Sequence, residues 1–190
     1  MNIDSELVFF DHLQSESGER ISNRTTLSKL FNFSGIEVTP AVALDYAKFK
    51  PDANEKDTDR TIPIYSLDIK ANLIKISNDG DVRQSIQPRV MAVYIPFEDQ
   101  SEFPFIDTLM PDFNYFQLFN ENRFIGNDRI GDTSKISYGI VAKRTRIQSG
   151  KDFFEFTLGQ TLHLKDEKVV MPGESLRSCL LYTSPSPRDS

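Results

Sequence analysis

The chain has 190 residues and a net charge of -6, with 38% hydrophobic and 26% charged residues. Its Lys and Arg are scattered among more numerous Asp and Glu, so the basic patch of a nucleic-acid binder is missing. No stretch reaches the roughly 20 apolar residues of a spanning helix, which argues against helical insertion but not against barrel strands of about 9 to 11 residues with alternate ones apolar.

Two weaker strand candidates, residues 3–10 and 21–31, come first after an opening, MNIDSELVFF, that has neither the basic stretch nor the small-residue site of a signal peptide. Over 36–46 the alternation is unbroken: Ile36, Val38, Pro40, Val42, Leu44 and Tyr46 against Glu37, Thr39, Ala41, Ala43 and Asp45. The same pattern sets Tyr65, Leu67, Ile69, Ala71 and Leu73 against Ser66, Asp68, Lys70 and Asn72. Runs at 86–97, 135–147 and 153–164 follow, the last with Phe154, Phe156, Leu158, Leu162 and Leu164 opposing Glu155, Thr157, Gly159, Thr161 and His163. About seven strands and no convincing helix predict an all-β chain of mostly antiparallel neighbours.

Short reversals at 34–35, 78–81 and 149–151 alternate with long polar connections at 50–60 and 98–134. Short turns on one rim and long loops on the other is the layout of an outer-membrane barrel, with the short side periplasmic. A soluble β-sandwich explains the alternation equally well, its apolar face being its core. Small and charged residues sharing the polar face, and Tyr65, Tyr94, Phe97 and Tyr138 near strand ends, favour the barrel. The run 78–81 lacks the remaining ligands of a calcium loop. His12 and His163 stand in no spacing used by zinc sites or nucleophile elbows.

From Cys179 to Asp189 the chain reads CLLYTSPSPRD, which looks like a translated transposase sequencing adapter. Residues 175–190 are therefore set apart as a non-native tail, with no element expected to pack, and 1–174 as the native segment, while 175–178 fit either side of the junction.

The stretch PRVMAVYIPFEDQSEFPFIDTLMPDFNYFQLFNENRFIGNDRIGD at 88–132 resembles the most recognisable part of the LptD family of outer-membrane lipopolysaccharide-transport barrels. The matching elements are PRV, DQS, DT, PDFNY, QLF, ENRF and DRIGD, in order. The flanks VTPAVALDYAKF, RTIPIYSLDIKANL and FTLGQTLHLKDEKVVMPGE agree, while Ile125 and His163 depart from the usual Ser and Tyr. The resemblance covers roughly 5–174 and lacks the family's periplasmic domain, its first and last barrel strands and its cysteines.

The resemblance implies a non-enzymatic barrel in the cell outer membrane, without cofactor, that inserts lipopolysaccharide into the outer leaflet. Its implied partners are lipopolysaccharide, the lipoprotein plug LptE and a periplasmic LptA-type bridge. The fragment would supply part of a large transmembrane barrel wall and one long extracellular loop. Val38, Val42, Leu44, Tyr65, Leu67 and Ile69 would face lipid, and Asp45, Ser66, Asp68, Lys70, Asn72, Glu155 and His163 the lumen. A soluble β-sandwich binding module and a barrel hydrolase using His163 are the alternatives from other classes.

The long loop is too aromatic for disorder: Phe103, Phe105, Phe113, Tyr115, Phe116, Phe119 and Phe124 need something to pack on, most simply the barrel mouth. In the family this region resembles a lid, here carried by Asp99, Gln100, Ser101, Asp112, Phe113, Tyr115, Phe119, Arg123, Phe124, Asp128, Arg129 and Asp132. Arg123, Asp128, Arg129 and Asp132 are expected to pair with each other and pin the loop, rather than to hold lipopolysaccharide phosphates.

Overall fold

The computed structural model describes residues 1–11, 17–51, 56–112 and 114–171, and the backbone of Leu181–Arg188. His12, Phe113 and tail positions 175–180 and 189–190 lie outside the described residues.

Each predicted run becomes a strand. In chain order they are β1 (Asn2–Phe10), β2 (Gly18–Ser28), β3 (Phe31–Phe33), β4 (Ile36–Pro51), β5 (Thr58–Ala71), β6 (Leu73–Ile76) and β7 (Val82–Ile95), followed by a short helix α1 (Tyr115–Leu118), then β8 (Thr133–Arg146), β9 (Asp152–His163) and β10 (Leu181–Arg188). They form one antiparallel sheet in the order β1-β2-β4-β5-β7-β8-β9-β10, while β3 pairs with β4 and β6 with β7. The sheet is open, with β1 and β10 at its two edges. The described residues are thus all-β apart from one helical turn.

Three expectations are corrected. The polar connection expected over 50–60 is strand at both of its ends, because β4 runs on to Pro51 and β5 begins at Thr58, with Phe49 opposite Thr58. Arg60 hides that continuation in the sequence: its charge reads as loop, but it is 3% exposed and lies 3.4 Å from Asp45. The second correction is α1, a turn that Asn114 caps by accepting the Phe116 and Gln117 amides at 2.9 and 3.1 Å. The third is β10, which pairs with β9 although no packed element was expected after Glu174. Pro185 and Pro187 sit in this edge strand, where a missing amide donor is tolerated.

The two faces of the sheet differ sharply. One carries unbroken apolar cross-strand rows, such as Leu27–Val42–Tyr65–Tyr94 and Pro40–Leu67–Ala92–Ile136–Leu162. Val42, Tyr65 and Tyr94 remain 49%, 45% and 44% exposed, so nothing among the described residues covers this outer face. The opposite, inner face holds rows such as Asp68–Met91–Ser137–Thr161. All the described hydrophobic core lies there. Ala43, Ile62, Ile64, Met91, Val93 and Ile95 pack with Leu118, Phe119 and Ile130, and a second cluster joins Ala47, Phe49 and Phe103.

Candidate functional site, a loop docked on the inner face

Residues 96–132 leave β7, cross the inner face and return into β8. Gln100 ties the two ends together: its Nε2 donates to the Ile130 carbonyl at 2.8 Å and its Oε1 accepts the Ile130 amide at 3.0 Å. Arg60 of β5 donates to the same Oε1 at 3.2 Å and to the Asn127 carbonyl at 2.6 Å, fastening this knot to the wall. Within the loop, Leu109 and Ile125 form an antiparallel bridge. Gly126 follows at φ +91°, where a Cβ would meet the Asp107 carbonyl oxygen at 2.3 Å, so no side chain fits.

Arg20 of β2 is the deepest anchor. It is 1% exposed, hydrogen-bonds Asp128, and donates to Asp107 at 2.6 Å and to Glu6 of β1 at 3.0 Å. Asp128, 0% exposed, also accepts the Ile106 and Asp107 amides at 2.8 and 2.5 Å. Burial, reinforced by the neighbouring Asp107 carboxyl, pushes the Asp128 carboxyl above its ordinary range. Burial acts in the same direction on Asp107, but the hydrogen bond and charge of Arg20 outweigh it and hold Asp107 low.

A second anchor lies at the β8–β9 side. Arg123 hydrogen-bonds Glu167 and the Val169 carbonyl in the segment after β9. Glu167 also accepts the Thr133 hydroxyl at 2.9 Å, and His163 Nδ1 lies 3.2 Å from its Oε1. Burial works to raise the Glu167 carboxyl, yet His163, Arg123 and Thr133 together hold it below the usual range. Asp132 accepts the Lys168 and Val169 amides at 2.9 and 2.8 Å. Between the anchors, Glu121 meets Arg24 and accepts Ser66 Oγ at 2.6 Å, and Lys135 donates to the Asn120 carbonyl at 2.7 Å.

The expected mutual pairing of Arg123, Asp128, Arg129 and Asp132 is therefore corrected: they do pin the loop, but Arg123 and Asp128 reach wall or flanking residues, Asp132 takes amides after β9, and Arg129 donates to the Phe103 carbonyl at 2.6 Å. Of the aromatics, Phe103, Phe119 and Phe124 are buried, Tyr115 packs against the core and Phe105 is 36% exposed. Phe116 is corrected, being 77% exposed, because α1 is one turn that buries Leu118 with the adjoining Tyr115 and Phe119 and so turns Phe116 outward. Asp99, Ser101 and Asp112 are exposed, Asp99 accepting the Ser101 amide at 3.0 Å.

Two opposed glycines seat the helix. Gly139 of β8 faces Gly159 of β9, and a Cβ on them would meet Tyr115 at 2.8 Å and Leu118 at 2.3 Å respectively. The sequence reading missed this socket, as it missed Glu6, Arg20, Arg60 and Glu167. For Glu6, Arg20 and Arg60 the local signal was a lone charge at an inner-face position of a strand.

The residues expected to line a lumen all lie on the inner face. Asp68 holds Arg89 in a two-point pair at 2.8 and 3.0 Å, and that guanidinium sits 4.3 Å from the Phe119 ring centroid. Lys70, Asn72, Arg89 and Glu155 border an open cleft of about 920 Å³ into which α1 presents Tyr115 and Phe116. His163 borders a smaller one of about 390 Å³ with Lys135 and Glu167, and Asp45 is buried beside Arg60.

The sequence profile of a family described as LptD: LPS transport system D matches residues 1–182. The chain is similar to proteins named LPS-assembly protein LptD. It is 32% identical to that of Thiobacillus denitrificans over 93% of this chain and 25% of the relative. For Nitrosococcus oceani the identity is 31% over 88% and 24%, and for Cupriavidus metallidurans 33% over 84% and 21%. The chain thus spans about a quarter or less of the length of these relatives.

Proposed function

The chain belongs to the LptD family, and from that premise we propose that it builds part of the wall of an outer-membrane β-barrel that assembles lipopolysaccharide into the outer leaflet. The supporting observation is the inversion of the sheet. Its apolar rows are left uncovered on the outer face, while its packing and buried ion pairs lie on the inner face under the loop. Hydrocarbon solvates such an outer face, and a sheet continued by further strands loses its edges. A sandwich would cover the apolar face with a second sheet, whereas all strands among the described residues share one.

In this reading residues 96–132 close the extracellular mouth, and Lys70, Asn72, Arg89 and Glu155 face the polar passage for the sugar portion of lipopolysaccharide. The lipoprotein LptE and a periplasmic LptA-type bridge are the protein partners. No catalytic step is assigned, since His163 lies against Glu167 in the loop anchor. Residues 175–190 are read as foreign to the protein; genomic sequence that continues past Glu174 with SLRSCLLYTSPSPRDS overturns that.

Depletion of the full-length protein tests the function. Newly made lipopolysaccharide should disappear from the cell surface, and the protein should leave the outer membrane only with detergent. Unchanged surface lipopolysaccharide, or recovery of the protein in the soluble fraction, would refute the reading.

A further inference from the structure

The outer face changes character at the short-turn rim. The row Leu73–Ile86–Ala142–Phe156 is apolar. Two residues further along the strands, about 7 Å, the next outward row reads Lys75–Gln84–Arg144–Phe154. One more step outward, Arg146 stands opposite Val82. The guanidinium of Arg144 lies 5.9 Å from the Phe154 ring centroid and that of Arg146 lies 6.0 Å from Phe153.

Lys75, Arg144 and Arg146 are exposed, and none makes an ion pair among the described residues. Nearest to Lys75 along the chain are Asp79 and Asp81 in the adjoining turn, where Asp79 is engaged with Ser77 and the Asp81 amide, and the exposed Asp81, whose carbonyl accepts the Ile147 amide at 2.8 Å, makes no ion pair among the described residues. Asp152 and Glu155 are turned to the other face, where they meet Lys143 at 3.9 and 3.3 Å. At the opposite rim the charges are mixed: Lys48 pairs with Asp57 at 2.8 Å, and Glu19 and Asp59 share that end.

We propose that Lys75, Arg144 and Arg146 form a docking patch for the phosphodiester headgroups of anionic phospholipid in the leaflet at the short-turn rim. The inference rests on the membrane-barrel reading above. Three unneutralised cations stand where an apolar belt ends, the level of a bilayer's phosphates. Each guanidinium offers a planar donor fork that matches a phosphate, with an aromatic ring behind it to limit its freedom. Among the described residues the other rim carries no such unbalanced patch, and that gives the surface a direction.

The test uses the full-length protein in nanodiscs of phosphatidylcholine with a fixed minor fraction of phosphatidylglycerol, and counts by native mass spectrometry the lipids that stay bound on release. Wild type should retain phosphatidylglycerol well above its share. Removing cations in K75Q, R144Q and R146Q should lower that preference on the order of fivefold per cation at low salt, less at high salt. K48Q should change nothing. Equal retention by wild type and the triple variant, or no preference in wild type, overturns the patch while leaving the barrel standing. A wild-type protein that fails to enter the bilayer at all overturns both.

Discussion

Replacing Arg20 by Met isolates the charge that holds the loop to β2. Met keeps most of the side chain's apolar stem but gives up the guanidinium's contact with the Phe10 ring, whose centroid is 5.1 Å from the guanidinium carbon. What is lost is the partner of Asp128, which is 0% exposed and would retain only the Ile106 and Asp107 amides. Removing one partner of a buried pair costs about 3 to 5 kcal/mol. The cost depends on pH. The Asp128 carboxyl already titrates above its ordinary range because of burial, and loss of Arg20 drives it higher. Between the ordinary and the raised value the folded protein binds more protons than the unfolded one, so stability falls as pH rises through that window. The R20M defect should therefore be full at neutral pH and smaller in acid. Hydrogen exchange of the Ile106 and Asp107 amides in the reconstituted full-length protein measures it, with protection falling roughly a hundred- to several thousandfold. Adding D128N should restore part of that protection, because a neutral amide tolerates the site better than an orphaned carboxylate. Unchanged protection in R20M, or a double variant as bad as the sum of the two singles, would refute the argument.

Facing is checked by a pair of variants: I69R, on an outer row with Val38, Val90 and Tyr138, should cost about 2 to 4 kcal/mol near the bilayer midplane, whereas N72R should be mild. Equal costs in a membrane refolding titration would overturn the assignment. Glu167 is held below its ordinary range, so its contribution is present above the usual carboxylate values and is lost as pH falls through the lowered one. Protease cleavage of the loop should thus accelerate on acidification, and E167Q should show fast cleavage already at neutral pH with a flatter pH profile. Finally, G159V fills the socket under Leu118, which is 1% exposed and has nowhere to move. It should undock α1 at a cost of about 1 to 3 kcal/mol, read as increased exchange at Gln117 and Leu118.

How far the sequence carried depends on which face a residue serves. In β4, β5 and β9 the outer face is apolar and the inner face polar or small over most of the length, so period-two patterning located β9 within a residue, the start of β4 and the end of β5 within two, but cut β4 five and β5 seven residues short at their other ends. The pattern blurs where the loop lands, because Ile62, Ile64, Met91, Val93 and Ile95 are apolar on the inner face too. It fails at Arg60, a buried charge inside a strand. The anchors were invisible for a different reason: Arg20 finds Asp107 and Asp128, and Arg123 finds Glu167, across wide stretches of chain, and spacing carries no record of such partners. The helical turn left a cue, Asn114 as a cap before Tyr115–Leu118, but one turn has no periodicity to read.

The placement of the anchors bears on what the loop does. Arg20 and Glu6 hold it at the β1–β2 side, Arg60 and Gln100 at the centre, and Arg123 and Glu167 at the β8–β9 side, so the loop spans the inner face from one flank of the sheet to the other. Such a strap could close a mouth or set the curvature of the wall, and deletion separates the two. Removing 103–129 takes away Phe103, Phe119 and Phe124, whose burial stabilises by about 1.5 to 3 kcal/mol each, but leaves the β4–β5, β7–β8 and β8–β9 ladders intact. Those ladders, closed by further strands, carry the wall. The exposed Ile62, Ile64 and Met91 would face the lumen's water at a cost the continuous hydrogen-bonded wall can bear. The deleted protein should therefore still insert, recognised by heat-modifiable mobility, while large antibiotics that wild-type cells exclude now enter. Wild-type permeability after deletion would make the loop decoration, and failure of the barrel to assemble would make it a folding element instead of a lid.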